Sequence, residues 1–353
     1  MTTQSSSSSG ISEAQHPEAW TWHMLGLVNP ALVITCNLIG GPWVFAGVIY
    51  MLGLGPLLDL SLGCASRPKP PRASGRVFEV LLYVHALMQF VAVGTLFYRA
   101  GLDGSYWTTW GAALSTGLSS GQSGIIVAHE LCHTRPGSFS WWVGRLNLLS
   151  VLYLHFTTEH NHTHHRLVGT TADPASARYG ESLWRFVLRT IPGQFRDAVN
   201  VHAARGRTVL ENPVARGMAL QIVLISGLYV LLGQWVTAAF IVQAGFGVFL
   251  LEYINYIRHY GLIRQIGERQ TELHSWQSEQ RWSRWTLLEL TRHPAHHLKP
   301  SEPFWRLRPY ENAPTLPSGI YGCFWLALVP PLWRHIMHPR IPERLSPGSL
   351  NRI

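Results

Sequence analysis

Four short clusters of histidine carry the spacing of a metal site. The first reads His129-Glu130-Leu131-Cys132-His133. Residues at i and i+4 share one helix face, so both imidazoles can reach one ion. Taken alone this is also the zinc-protease pattern, with Glu130 as general base. The second reads Glu159-His160-Asn161-His162-Thr163-His164-His165. So dense a run is hard to explain as core filling, because every buried neutral imidazole needs partners. The third, Asn255-Tyr256-Ile257-Arg258-His259-Tyr260-Gly261, offers a single histidine that an interfacial position would explain equally well. The fourth reads Arg292-His293-Pro294-Ala295-His296-His297. Together the clusters supply nine candidate ligands. A single zinc ion takes four, so nine is too many for one ion. Two five- or six-coordinate ions with open positions fit better, and imidazole suits iron. Of the 18 histidines, 12 fall within 129–165 and 259–297, where even scattering predicts about 4.

These clusters must be positioned by elements in contact with lipid. Only 13% of the 353 residues are charged and 47% are hydrophobic, against about 25% charged in ordinary soluble domains. The 15 Trp and 12 Tyr suit aromatic belts at membrane interfaces. Apolar stretches predict six spans near 24–43, 44–63, 77–98, 105–127, 216–235 and 237–257. The fourth is rich in Ser, Thr and Gly, which suits close helix packing. Shorter runs at 141–156 and 319–333 read as helices at the interface or inserted partway. With this arrangement 27 of the 28 basic residues fall on one face together with all four clusters, leaving Arg99 on the other. Basic loops mark the cytoplasmic side, so both termini and the site are expected there. The lysines, Lys69 and Lys299, stand far apart, and no basic run interleaves with aromatics, which argues against nucleic acid as a partner. The four cysteines form no CxxC pair and read as free thiols. Residues 1–23 read as a disordered Ser-rich tail, 24–340 as one membrane-embedded domain, and 341–353 as a C-terminal tail. The expected fold is therefore an all-α integral membrane protein with about six transmembrane helices and a cytoplasmic histidine-rich cap.

The four clusters, in this order and with these spans, resemble the membrane-bound alkane hydroxylases, within the wider group of integral-membrane fatty-acid desaturases and hydroxylases. The matching motifs are H-E-x-x-H at 129–133, E-H-x-x-x-H-H at 159–165, N-Y-x-x-H-Y-G at 255–261 and R-H-x-x-H-H at 292–297. Asp173 to Arg178, Pro56 to Asp59 and His274-Ser275-Trp276 match as well, and the likeness runs from about 40 to 340. The resemblance implies two non-haem irons held by His129, His133, His160, His164, His165, His259, His293, His296 and His297. It further implies a carboxylate ligand at Glu268. Thr134, His162, Thr163 and Arg258 depart from the family's usual residues, and none of them removes a ligand.

Such a centre would bind O2 as co-substrate and, with two electrons, insert oxygen into an unactivated C–H bond of a lipophilic substrate. Glu130, Glu159 and Asp173 are candidate acceptors for imidazole N–H groups, or alternatively caps and loop anchors. Trp43, Phe45 and Tyr50 are candidate cavity-lining residues, although lipid-facing aromatics are equally expected there. The chain carries no haem motif or cysteine cluster, so electrons must come from a separate carrier. The resemblance implies a rubredoxin or ferredoxin with its reductase, drawn to the basic face. Three other readings compete. A fatty-acyl desaturase would use the same scaffold, and an intramembrane zinc protease would use His129, Glu130 and His133. A transporter or haem protein would need histidines inside the spans, where only His85 lies clearly.

Overall fold

The computed structural model describes residues 17–65 and 74–345. Among them the chain is helical, with isolated β-bridges at Cys64–Gln280 and Gln277–Thr315. Four helices are long and apolar enough to cross a membrane: α1 (Trp20–Ile39), α2 (Gly41–Leu62), α3 (Arg76–Asp103) and, further along, Pro213–His259. Between the last two lies α4 (107–132), whose middle, Ser120–Ile126, opens into a wide π-type turn. The cap follows with α5 (Phe139–Leu149), α6 (156–167) and α7 (Leu183–Ala203).

Helix α8 (Pro213–His259) starts where Asn212 accepts from the Val214 N–H and Pro213 fixes the first turn. It is broken at Gly233, whose φ of 84° belongs to the left-handed region that side chains disfavour. The two halves, 213–232 and 234–259, overlap the fifth and sixth apolar stretches read at 216–235 and 237–257. Short helices complete the cap: α9 (Arg281–Thr286), α10 (His293–Leu298), α11 (Ile320–Leu328) and α12 (Pro330–Met337).

Helix α4 lacks the apolarity of a lipid-facing span because it occupies the middle of the bundle, against α3 and the second half of α8. A Cβ on Gly117 would lie 2.9 Å from both the Gln243 carbonyl and Phe246 Cβ, so only glycine allows that approach. Its polar side chains are used across helices. Gln89 donates to Ser120 and Ser150 at 2.9 and 3.0 Å, Ser120 donates to Gln243 at 2.7 Å, and Asn37 donates to Thr116 at 3.1 Å. The outer faces are apolar, with Leu57, Leu60, Val80, Leu87, Val230 and Leu231 exposed.

Residues 17–23 and 341–345, read from composition as parts of the two tails, are described and make contacts with the rest of the chain. Helix α1 begins at Trp20, and just before it Glu18 accepts from Arg284 Nη2 at 2.8 Å and from Trp285 Nε1 at 2.9 Å. His23 lies 3.1 Å from Glu289, so the segment around the start of α1 is clamped to the region of α9 and Glu289. Residues 1–16 lie outside the described residues. At the other end Ile341 and Leu345 are buried in the core, where apolar burial holds them, and 346–353 lie outside the described residues.

Candidate metal centre

The fold gathers all nine candidate histidines and sorts them into two adjoining groups. His129, His133, His160, His165 and His296 form one, and His164, His259, His293 and His297 form the other. Within each group one ring nitrogen per residue lies within 4.8 Å of the others. The groups touch: the His165 and His297 ring centroids are 4.6 Å apart.

The sorting follows local helix geometry. His129 and His133 sit one α-turn apart and stay together, with ring centroids at 5.1 Å. The same holds for His293 and His297, at 4.3 Å, while His296 faces the other way and meets His129, also at 4.3 Å. Cluster two departs from regular α spacing. Residues His160–His164 form a π-type turn, closed by the His165 N–H donating to the His160 carbonyl. That turn aligns i with i+5, so His160 and His165 share a group with Nε2 atoms 3.0 Å apart, and His164 is turned into the second group. His160 and His164, although at i and i+4, are thereby placed in different groups.

The donor set fits first-row metal ions. In the second group, Nε2 of His293 lies 3.1 Å from that of His259 and 2.9 Å from that of His297. Two nitrogens held ~2.1 Å from one ion at right angles would be ~3.0 Å apart. Nε2 of His133, His164 and His296 is buried without a hydrogen-bond partner among the described residues, an arrangement a bound cation resolves. Burial first, and then neighbouring rings, hold His160 and His297 well below the usual histidine range. Such rings are neutral at ordinary pH, the form that binds metal.

Outer contacts orient several rings. Asp173 Oδ2 lies 2.9 Å from His164 Nδ1 and also accepts from Ser176 Oγ at 2.6 Å. Its Oδ1 accepts from the Ala175 N–H at 3.0 Å. This fixes the His164 tautomer and turns Nε2 inward. Asp173→Asn is expected to weaken metal binding by about 10–100-fold, read by competition with a chelator. An unchanged competition curve would reduce Asp173 to a loop anchor. His259 Nδ1 is held the same way by the His274 carbonyl at 3.2 Å, a partner that ring-based reading of the sequence could not find. Glu130 instead accepts from the Phe304 N–H at 3.0 Å, so it anchors a turn. Glu159 is buried, with Oε1 lacking a partner among the described residues, and no imidazole bonds to it there.

Glu268 is not brought to either group. It is exposed, and its carboxylate accepts from the Gln265 N–H at 2.9 Å, within its own loop. His162 is exposed as well. His155 is buried beside Tyr153, outside both groups. Mid-span His85 bonds Ser123 at 2.9 Å.

An apolar cavity opens directly onto the two groups. His129, His160 and His293 form one part of its wall, and Met51, Leu118 and Phe324 lie among the apolar residues of the rest. The aromatics expected to line it are elsewhere. Trp43 is exposed, Phe45 stacks on Trp107, and Tyr50 meets Trp282 edge-on. Their helix turns a different face inward.

The fatty acid desaturase family model matches residues 105–327. An alkane 1-monooxygenase from Ectopseudomonas oleovorans is 33% identical, over 95% of this chain and 87% of its own. Alkane 1-monooxygenase 1 from Pseudomonas aeruginosa is 34% identical over 91% and 90% of the two chains. The hydroxylase component of a xylene/toluene monooxygenase from Pseudomonas putida is 31% identical over 86% and 84%. Taken with the four clusters and their shared centre, these likenesses mean that the chain belongs to the alkane 1-monooxygenase family, within the fatty acid desaturase superfamily.

Proposed function

We propose that this chain is a membrane-embedded diiron monooxygenase that hydroxylates an unactivated C–H bond of a lipophilic hydrocarbon substrate. The observation that carries this reading is the apolar cavity whose wall includes histidines of both groups. It would hold an alkyl chain away from water and present a C–H bond to the site. The five histidines of the first group and the four of the second would hold one iron each. When bound, the irons supply activation of O2, which with two electrons and two protons yields one alcohol and one water. The histidines remain neutral ligands, Asp173 holds His164 in place, and Glu130 keeps the turn at Phe304 closed over the site. Electrons would come from a separate rubredoxin- or ferredoxin-type carrier docking on the basic cap.

A zinc protease reading needs Glu130 free beside a three-ligand ion, whereas Glu130 is engaged by the Phe304 backbone and five histidines converge. The test is product analysis in cells that express the chain with a reductase and carrier and are fed dodecane under labelled O2. Dodecanol carrying one labelled oxygen is expected. An alkene would transfer the chain to the desaturase reading, and no product from iron-loaded protein would overturn both.

The six-segment arrangement with the cap in the cytoplasm is part of the same proposal, supported by the Gly233 break and the basic count. A cysteine tag at Asp103 should then react with an impermeant reagent from outside the cell, and one at Glu311 only after lysis. Labelling of both from the same side would refute the arrangement.

A further inference from the structure

Five arginines are buried among the described residues: Arg99, Arg258, Arg264, Arg284 and Arg292. Four of them have engaged guanidinium groups. Arg99 donates to the Asn37 and Leu38 carbonyls, and Arg264 donates to those of Val168, Glu268 and Arg166. Arg284 is paired with Glu289 and Glu18, and Arg292 with Glu279. Arg258 differs. It is 0% exposed, and Nε, Nη1 and Nη2 are all buried without an acceptor among the described residues. An unpaired buried cation is among the most unfavourable arrangements in a folded chain.

Its place in the fold says what could pair it. Leu251, Ile254 and Asn255 of α8 line the apolar cavity. Arg258 follows them at i+7, i+4 and i+3, so it continues the same helix stripe one turn nearer His259. His259, the next residue, brings its Nε2 within 3.1 Å of Nε2 of His293, which itself lines the cavity. Neither histidine group contains a carboxylate, so metal cations bound there would add positive charge without compensation. Three acids around the site are committed elsewhere. Asp173 is on His164 and Glu130 on the Phe304 backbone, while Glu252 accepts from Tyr153, Thr190, Gln194 and Asn255.

From this arrangement we infer that Arg258 is a binding residue for a carboxylate, held at the histidine end of the apolar cavity. A planar guanidinium matches a carboxylate with two parallel bonds, and the mostly apolar cavity wall suits an attached alkyl chain. The chain would thus take a carboxylate-bearing amphiphile, or a small free carboxylate beside a hydrocarbon. The inference rests on the site reading above only for the site's location, and it is tested by binding without turnover. Its failure would therefore leave hydroxylation standing.

The full-length chain in nanodiscs, iron-loaded, is titrated by calorimetry with dodecanoate, 1-dodecanol and formate, with partitioning into empty nanodiscs subtracted. Wild type is expected to bind dodecanoate saturably. Arg258→Gln is expected to weaken it by roughly tenfold to a hundredfold, as loss of charge-assisted bonds predicts. Affinity for 1-dodecanol should stay unchanged, which a general packing defect would not allow. Competition by formate assigns the site to any carboxylate, and saturable dodecanoate binding without formate competition assigns it to a chain-bearing one. Dodecanoate binding to Arg258→Gln as tightly as to wild type would overturn the inference, as would a wild type that binds neither anion. Should Arg258→Gln fail to insert, Arg258→Lys takes its place, with intermediate weakening expected and equal affinity overturning the inference.

Discussion

Replacing His296 by alanine is expected to abolish substrate oxidation and to lower the iron bound per chain, with membrane insertion intact. His296 is the member of the five-histidine group that comes from the last cluster. Its ring centroid lies 4.3 Å from His129, 4.8 Å from His133 and 4.9 Å from His165, so it closes the group from the side opposite α4. Loss of an outer partner typically costs about 10–100-fold. Loss of a ligand itself should exceed that. Helix α10 lies outside the four long apolar helices, so these should insert as before. Iron content by elemental analysis and product formation are the two readouts. An iron-replete and active His296→Ala would end the assignment of two irons to these nine residues.

The second large effect concerns the scaffold under that cluster. Glu289 is 4% exposed and accepts from Arg284 Nε and Nη2 at 2.8 and 2.9 Å. Arg292 Nε lies 3.4 Å away and His23 Nε2 3.1 Å away. Burial opposes the charge of Glu289, but Arg292 and Arg284 outweigh it and hold the carboxyl far below its usual range. Glu289→Gln strands part of that buried positive charge, and breaking such a network costs about 3–5 kcal/mol. Because the folded value is depressed, the stabilisation is present above the unfolded carboxyl value and is lost as pH falls below it. The variant should therefore melt well below the parent at neutral pH, with the gap narrowing in acid. Equal melting temperatures at pH 7 would mean that Glu18 and Glu279 suffice to hold both arginines.

Much of this architecture is legible in the chain because its signals are local. The apolar stretches locate α1, α2, α3 and the two halves of α8 within a few residues, and Gly233 marks the turn between those halves. Helix α4 is recognisable through its small residues even though its hydropathy is weak. The nine histidines are readable as one centre because imidazoles crowded so densely would leave ring nitrogens unsatisfied without an ion. What escapes is direction. A regular α-helix pairs His160 with His164, but a single widened turn substitutes His165, and no sequence rule foretells that turn. Glu268 is reached only by counting along a loop, and loop residues face wherever their own backbone contacts turn them. The aromatics of α2 suggest a cavity wall, whereas Met51 and Leu52 carry that wall.

The clamp between the first and last parts of the chain has a consequence for biogenesis. Glu18 and His23 grip Arg284 and Glu289, 266 positions further on, and that segment leads into His293, His296 and His297. Contacts so distant in sequence cannot form until nearly the whole polypeptide has left the ribosome. During synthesis, clusters one and two would emerge as a half-built site without its closing ligands. Iron bound by all nine histidines would thus be acquired late, and a metal that favours the completed fold would act as the final lock on assembly.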